Sequence, residues 1–245
     1  MERVVVEDVG LIAYDRCLAR QRELFDRLLN AKVALHSSHS SDQPVETEDR
    51  SADQVLILCE HPAVYTLGKS GAESNLLVDE AFLHRIGASY YRTDRGGDIT
   101  FHGPGQLVGY PVLDLERLGI GLREYIERLE ETVIATAADY DIRAERLAGA
   151  TGVWIGVGSA RPRKLCAIGV RSSRYVTMHG FALNVTTDLS YFEYINPCGF
   201  TDKGATSLKA ELGCDVAMEE VKARYARHFA RVYGVELVAA GMGCE

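Results

Sequence analysis

The sequence predicts one domain of the α/β class, on three observations. Short apolar runs such as Val55–Cys59 and Leu107–Leu115 have the length and composition of buried strands. Leu122–Tyr140 and Met218–Tyr233 instead carry apolar residues at the three-to-four spacing of an amphipathic helix. No internal repeat or linker-like stretch divides the 245 residues, and a hydrophobic content of 47% suffices for a full core. A single domain over residues 1–245 is therefore expected, a small C-terminal lobe being the one conceivable appendage.

In chain order, Arg3–Val6 is a short strand candidate, and Leu18, Phe25, Leu28 and Leu29 place a helix over Tyr14 to about Leu29. The polar stretch 36–51 is expected as a surface insert, with His36 and His39 solvated rather than metal-binding. Val55–Cys59 ends at Glu60-His61-Pro62; a short helix over Glu80–Ile86 and a strand over Ser89–Thr93 follow. Arg95-Gly96-Gly97-Asp98-Ile99-Thr100-Phe101-His102-Gly103-Pro104-Gly105-Gln106 then packs four glycines and a proline around an arginine and a histidine. It reads as turn, short strand, turn: a backbone cradle that a ligand can approach closely, although a glycine-rich hairpin without a ligand gives the same pattern. Beyond the helix striped by Tyr125, Ile126, Leu129, Val133, Ile134 and Ala137, strands are expected over Gly152–Val157 and Lys164–Val170, joined by the basic turn Ser159–Arg163. Arg174–Val185 reads as a strand region broken at His179-Gly180, Asn196–Phe200 as a tight loop, and Val235–Val238 as a closing strand.

Several function classes are excluded or disfavoured. A net charge of −8 argues against nucleic acid as a partner. No apolar run is long enough for a bilayer, and Met1–Gly10 mixes charges through its valines, unlike a signal peptide. The six cysteines are scattered without a CxxC pair, which suits a reducing cytoplasm rather than a disulfide scaffold or zinc ribbon. Gly68-Lys69-Ser70 ends like a phosphate-binding loop, but its first glycine position is Ala63; Gly156-Val157-Gly158 fails the dinucleotide fingerprint at Arg161.

Chemistry concentrates elsewhere. Pro197 and Gly199 hold Cys198 in a turn that can expose its sulfur, a packed core cysteine being the alternative. Cys166, between Leu165 and Ala167, reads as core, yet strand spacing allows it to share a face with Lys164. His102 and His179 each precede a glycine; with Cys198 they lack zinc-ligand spacing and a fourth donor, and a Cys–His nucleophilic pair is the better chemistry. The residues alone lead to a thiol-based acyl-transfer enzyme and no further.

Four segments in order resemble the lipoyl(octanoyl) transferase family: Arg95-Gly96-Gly97 through His102–Gln106, Lys164 with Ala167-Ile168-Gly169, His179-Gly180-Phe181-Ala182-Leu183-Asn184-Val185, and Pro197-Cys198-Gly199. The resemblance covers roughly Val55 to Tyr233 and implies the α/β (α+β) fold of the biotin/lipoate protein ligase catalytic domain, a mixed sheet flanked by helices. It implies transfer of an octanoyl or lipoyl group from acyl carrier protein to a lysine of lipoyl domains, including those of 2-oxo acid dehydrogenases and the glycine-cleavage H protein, as the first step of protein lipoylation. By the same resemblance Cys198 matches the acyl-carrying nucleophile and Lys164 its partner, while Arg95, Gly96, Gly97, Asp98, Ile99, Thr100, Phe101, His102, Ala167, Ile168, Gly169, Gly180, Phe181 and Ala182 match acyl-lining segments. His179 is a possible auxiliary. The alternatives are an ATP-dependent lipoate or biotin ligase on the same fold, which needs no Cys198, and a non-enzymatic carrier-binding module.

The physics accommodates these implied roles. An ammonium beside a thiol of ordinary pKa about 8.5 favours the thiolate, and the neutral amine can then take a proton from the incoming lysine. Thioester exchange is nearly balanced and amide formation is downhill, so no ATP, metal or other cofactor is expected. Glycine amides of the cradle are candidate oxyanion donors. Because acyl carrier proteins are acidic as a class, a local basic rim is expected from Lys69, Arg92, Arg161, Arg163, Arg171 and Arg174.

Overall fold

The computed structural model describes residues 1–38, 53–196 and 204–240. Among these, nine strands form one mixed sheet in the order β12-β1-β2-β6-β10-β9-β8-β7, with β11 alongside β9. The strands are β1 (Arg3–Leu11), β2 (Gln54–Glu60), β6 (Gln106–Val112), β7 (Ala144–Leu147), β8 (Ala150–Ile155), β9 (Arg163–Ser173), β10 (Val176–Asn184), β11 (Gly204–Ala205) and β12 (Glu236–Ala239). A smaller sheet joins β4 (Ser89–Arg92), β3 (Val64–Leu67) and β5 (Ile99–His102) in that order. The helices are α1 (Tyr14–Ser38), α2 (Glu80–Arg85), α3 (Leu122–Ala138), α4 (Leu208–Leu212) and α5 (Met218–Tyr233).

The continuous apolar run of β2 follows from burial on both faces. Val55, Ile57 and Cys59 face α1, where Cys17, Leu24, Phe25 and Leu28 meet them. Leu56 and Leu58 face the opposite layer, built from Tyr125, Leu129 and Val133 of α3 and Val221, Tyr225 and Phe229 of α5. The sheet is thus sandwiched between α1 and the α3/α5 pair. β12 pairs in parallel with β1, so the C-terminal helix and strand are built into the main sheet rather than forming a separate lobe.

Three departures from the sequence reading have physical causes. Helix α1 runs to Ser38 instead of Leu29, because the buried Lys32 is a tertiary anchor: its Nζ reaches Asp114 at 2.6 Å and Glu116 at 2.8 Å. Strand β10 is unbroken through His179-Gly180. His179 has a φ of +59°, but pairing with β9 continues across it, His179 opposite Val170 and Gly180 opposite Gly169. Its amide donates to Gln21 Oε1 of α1 at 3.1 Å. The segment Val64–Leu67, not assigned from its sequence, is the central strand of the small sheet. Of the expected surface insert, residues 36–38 instead belong to α1, and 39–51 lie outside the described residues.

Candidate active site

The glycine-rich stretch bridges the two sheets. Lys69 and Ser70 amides after β3 donate to the carbonyls of Arg95 and Gly97, and the Gly96 amide donates to Val170 of β9 at 2.8 Å. Gly97 takes a φ of +84°, open to glycine at little cost. Across the gap, a Cβ on Gly169 would sit 2.8 Å from the Gly96 carbonyl oxygen, so only glycine lets loop and strand close to this distance. One expectation is corrected here: the Gly96 N–H is committed to Val170 and is no oxyanion donor.

Between these backbones and the ends of β8 and β11 lies a cavity of about 1180 Å³. Arg95, Gly96, Gly97, Asp98, Ile99, Thr100, His102, Lys164, Ala167, Ile168, Gly169, His179, Gly180, Phe181 and Ala182 all line it. Phe101 does not. Strand alternation between Thr100 and His102 turns it into the small-sheet core, where its ring stacks on Tyr191 at 4.6 Å. Lining residues that the motifs missed include Tyr14, Tyr110 and Trp154, together with Leu122 and Ile126 at the start of α3. The lone tryptophan was the one visible signal among them.

Buried polar groups hold the cradle in place. Arg95 is 8% exposed; its Nη2 donates to the Thr66 carbonyl at 2.6 Å and to Thr66 Oγ1 at 3.0 Å, and its Nε to the same hydroxyl at 3.3 Å. The Thr66 hydroxyl is 3.3 Å from His102 Nε2, and His102 Nδ1 is 2.8 Å from Gln106 Oε1. Gln106 Nε2 donates to Asn184 Oδ1 at 2.9 Å, and Asn184 Nδ2 to the Thr206 carbonyl at 2.9 Å. With the proton on Nδ1 of His102, every donor in this chain points from Arg95 toward Thr206, the arrangement in which successive bonds polarise one another. Thr206 in turn donates its amide to the carbonyl of Lys164 at 3.0 Å. Burial pushes the His102 imidazolium down to a pKa of about 3, so the ring is neutral near pH 7.

A second network involves His179, whose Nε2 lies 2.9 Å from Asp94 Oδ1. Asp94 also accepts from Arg171. The bond from His179 holds the Asp94 carboxyl well below the usual carboxylate range, while burial lowers the His179 pKa. A neutral His179 facing an ionised Asp94 carries its proton on Nε2, leaving the lone pair on Nδ1.

At the opposite end, Lys164 Nζ sits 4.6 Å above the Trp154 ring. β11 runs parallel to β9, Gly204 beside Arg163 and Ala205 beside Lys164. Cys166 is separated from this lysine: it is fully buried in the main core, does not line the cavity, and burial pushes its thiol far up. Cys198 lies outside the described residues, as do Pro197 and Gly199. The flanks of that segment, Asn196 and Gly204, both line the cavity.

The basic rim is narrower than its sequence clustering. Arg163 is held by Glu211 at 3.0 Å, Arg92 by Glu73 at 2.9 Å, and Arg171 by Asp94. Arg174 lies just past the far end of β9, whose run from Arg163 to Ser173 spans about 33 Å at a strand's rise per residue. Arg161 remains exposed and on the cavity wall.

Comparison with known proteins bears on the family and the fold. Residues 37–230 match the family described as "Lipoyl protein ligase A/B catalytic domain". An octanoyltransferase of Bacteroides fragilis is 53% identical over 225 residues, covering 92% of this chain and 96% of its own length. One from Parabacteroides distasonis is 50% identical over 234 residues, covering 95% and 100%. Among solved structures, a bipartite lipoate protein ligase system with its E2 lipoyl domain from Thermoplasma acidophilum superposes with a TM-score of 0.67 at 14% identity, over 98% of this chain and 87% of that one. At that identity the likeness speaks for the fold.

Proposed function

Because the chain belongs to the lipoyl protein ligase A/B catalytic-domain family, and its curated relatives at half identity are octanoyltransferases, we propose that it transfers an octanoyl group from acyl carrier protein to a lysine of lipoyl domains. The Cys198 thiolate attacks the octanoyl thioester of the carrier; the acyl group moves to Cys198 Sγ and the carrier leaves as its thiol. The ε-amine of the acceptor lysine then attacks this second thioester, an amide forms, and Cys198 returns to its thiol. Lys164 takes the thiol proton in the first half and the amine proton in the second.

One observation carries this reading. Asn196 and Gly204, the described residues that flank Cys198 in the sequence, both line the cavity that Lys164 lines, and Ala205 pairs with Lys164. Supporting it, the wall between Lys164 and the cradle is apolar or glycine along Ala167–Gly169 and Gly180–Ala182, as an acyl chain requires. The His102 ring, neutral and held at both nitrogens, serves to position the cradle rather than to exchange protons.

The test is intact-protein mass spectrometry after incubation with octanoyl-carrier protein, without ATP. One hydroxylamine-labile octanoyl mass is expected, lost in Cys198→Ser and kept in Cys166→Ser. Labelling that survives Cys198→Ser overturns the nucleophile, and a requirement for ATP places the chain with the ligases instead.

A further inference from the structure

On the face of the sheet that α1 covers, the cavity ends at one rung of paired strands. Its floor there is laid by β6, β10 and β9, where Tyr110, Gly180 and Gly169 stand side by side. Gly180 pairs with Gly169, and the pairing of Phe181 with Gly109 sets Tyr110 opposite Gly180. All three line the cavity, whereas the next residues on that face, Val112, Met178 and Arg171, do not. Tyr110 is thus the large side chain of the last rung. Tyr14, the first residue of α1, also lines the cavity, and His61 joins the two. The centre of the His61 ring lies 5.9 Å from that of Tyr110 and 5.5 Å from that of Tyr14.

This end is polar in composition but apolar in what it presents. His61 Nδ1 donates to the Ile12 carbonyl at 2.7 Å, so Nε2 is the acceptor, and the Tyr110 hydroxyl donates to it at 2.8 Å. Burial pushes the Tyr110 pKa up, which keeps that proton in place. The His102 ring, stacked with Tyr14 at 6.2 Å, is held by Thr66 at one nitrogen and Gln106 at the other. With these polar atoms bonded inside the protein, the rung turns ring faces to the cavity. Such faces take a methyl terminus, while a polar terminus would lose its water there without compensation.

We propose that Tyr110 and Tyr14 are the end wall of the acyl channel and set its length, admitting chains of eight to ten carbons and excluding twelve. The inference rests on the transferase reading, with the thioester at Lys164. Gly169 is five residues from Lys164 along β9, about 16 Å, and Tyr110 lies two strands across, about 10 Å, so the diagonal is about 19 Å. Contacts of about 3.5–4 Å at each end leave about 11–12 Å for the chain. Carbon–carbon bonds of about 1.5 Å advance roughly 1.25 Å each in a zigzag, so eight carbons span about 9 Å, ten about 11 Å and twelve about 14 Å.

The test uses the full-length chain and straight-chain pantetheine thioesters of six to fourteen carbons, with single-turnover acylation of Cys198 read by intact-protein mass spectrometry. Octanoyl and decanoyl thioesters should label at comparable rates. Dodecanoyl should be at least ~10-fold slower, the discrimination expected when a methylene does not fit. Tyr110→Leu and Tyr14→Leu each shorten the wall and should raise the dodecanoyl-to-octanoyl rate ratio at least ~10-fold. The ratio is taken within one protein, so a loss of folded fraction cancels. A parent profile flat through fourteen carbons, or an unchanged ratio in either folded variant, overturns the end wall. Should Tyr110→Leu fail to fold, Tyr14→Leu and the parent profile decide. If no thioester labels Cys198, the transferase reading has failed, and Tm shifts with octanoate, decanoate and dodecanoate decide the wall instead. A shift by dodecanoate as large as that by octanoate then counts against it.

Discussion

Thr66→Val isolates one oxygen of the network that holds the cradle. Thr66 is fully buried and is not part of the cavity wall, and valine has nearly its shape. Its hydroxyl serves three bonds, accepting from Arg95 Nε and Nη2 and facing His102 Nε2. Nη2 keeps the Thr66 carbonyl at 2.6 Å, so the loss falls on His102 Nε2. A buried polar group left without a partner costs about 1–3 kcal/mol. That is a large share of the ~5–15 kcal/mol that keeps a protein folded. At ~2–4 °C per kcal/mol for a chain of this size, Tm should fall by about 2–12 °C. Urea unfolding gives the free energy directly, and octanoyl transfer at 25 °C should drop at least ~10-fold as the cradle loosens. Thr66→Ser keeps the oxygen and loses a methyl, about 1 kcal/mol. A Thr66→Val protein within about 0.5 kcal/mol of the parent, or one no worse than Thr66→Ser, refutes the argument.

Lys164→Ala should leave Tm within a few degrees, because the contact with Trp154 is of a kind worth only about 0.5–2 kcal/mol, while octanoyl transfer falls at least ~100-fold; an active variant removes the proposed proton carrier. Acid should destabilise the fold below about pH 6.5. His102, with a folded pKa of about 3 against an ordinary value near 6.5, takes up its proton only on unfolding, and burial of His61 and His179 acts in the same direction. Stability is thus fully present above pH 6.5 and is lost as pH falls, by up to about 1.4 kcal/mol per pH unit for each such histidine. Urea titrations at pH 7, 6 and 5 should show this slope, reduced by about that amount in His102→Asn; an unchanged slope contradicts the assignment of a buried neutral ring. Arg161→Glu should raise the KM for octanoyl-carrier protein and flatten its salt dependence, yet hardly alter turnover of a small octanoyl thioester. Equal damage to both substrates assigns Arg161 to the reaction rather than to docking.

Much of the site was legible because its chemistry is concentrated in short segments. The glycines of Arg95–Gln106 signalled close backbone approach, and the structure places Gly96 against Val170 and Gly169 against Gly96. Strand period alone could not separate Cys166 from Lys164. A register shift between Val153 and Trp154 changes how β8 meets β9 at just these two residues, sending the thiol to the core and the amine to the cavity. Thr66 and Asn184 were invisible as members of the hydrogen-bonded chain, since a lone threonine or asparagine in a strand carries no signal of its partner.

By itself the sequence determined the α/β class, the two long amphipathic helices, the buried strands and the order of the motifs, because propensity and periodicity are set by neighbours within a turn or a strand. Only the tertiary structure decided that Arg174 stands a strand's length from Arg163, that Lys32 extends α1 by pairing with Asp114, and that Cys17, Cys59 and His61 converge. These relations depend on sheet order, register and helix docking. Such contacts join residues far apart in the chain, and they arise when apolar faces are buried together, a condition satisfied by the whole sequence at once and written in no single segment of it.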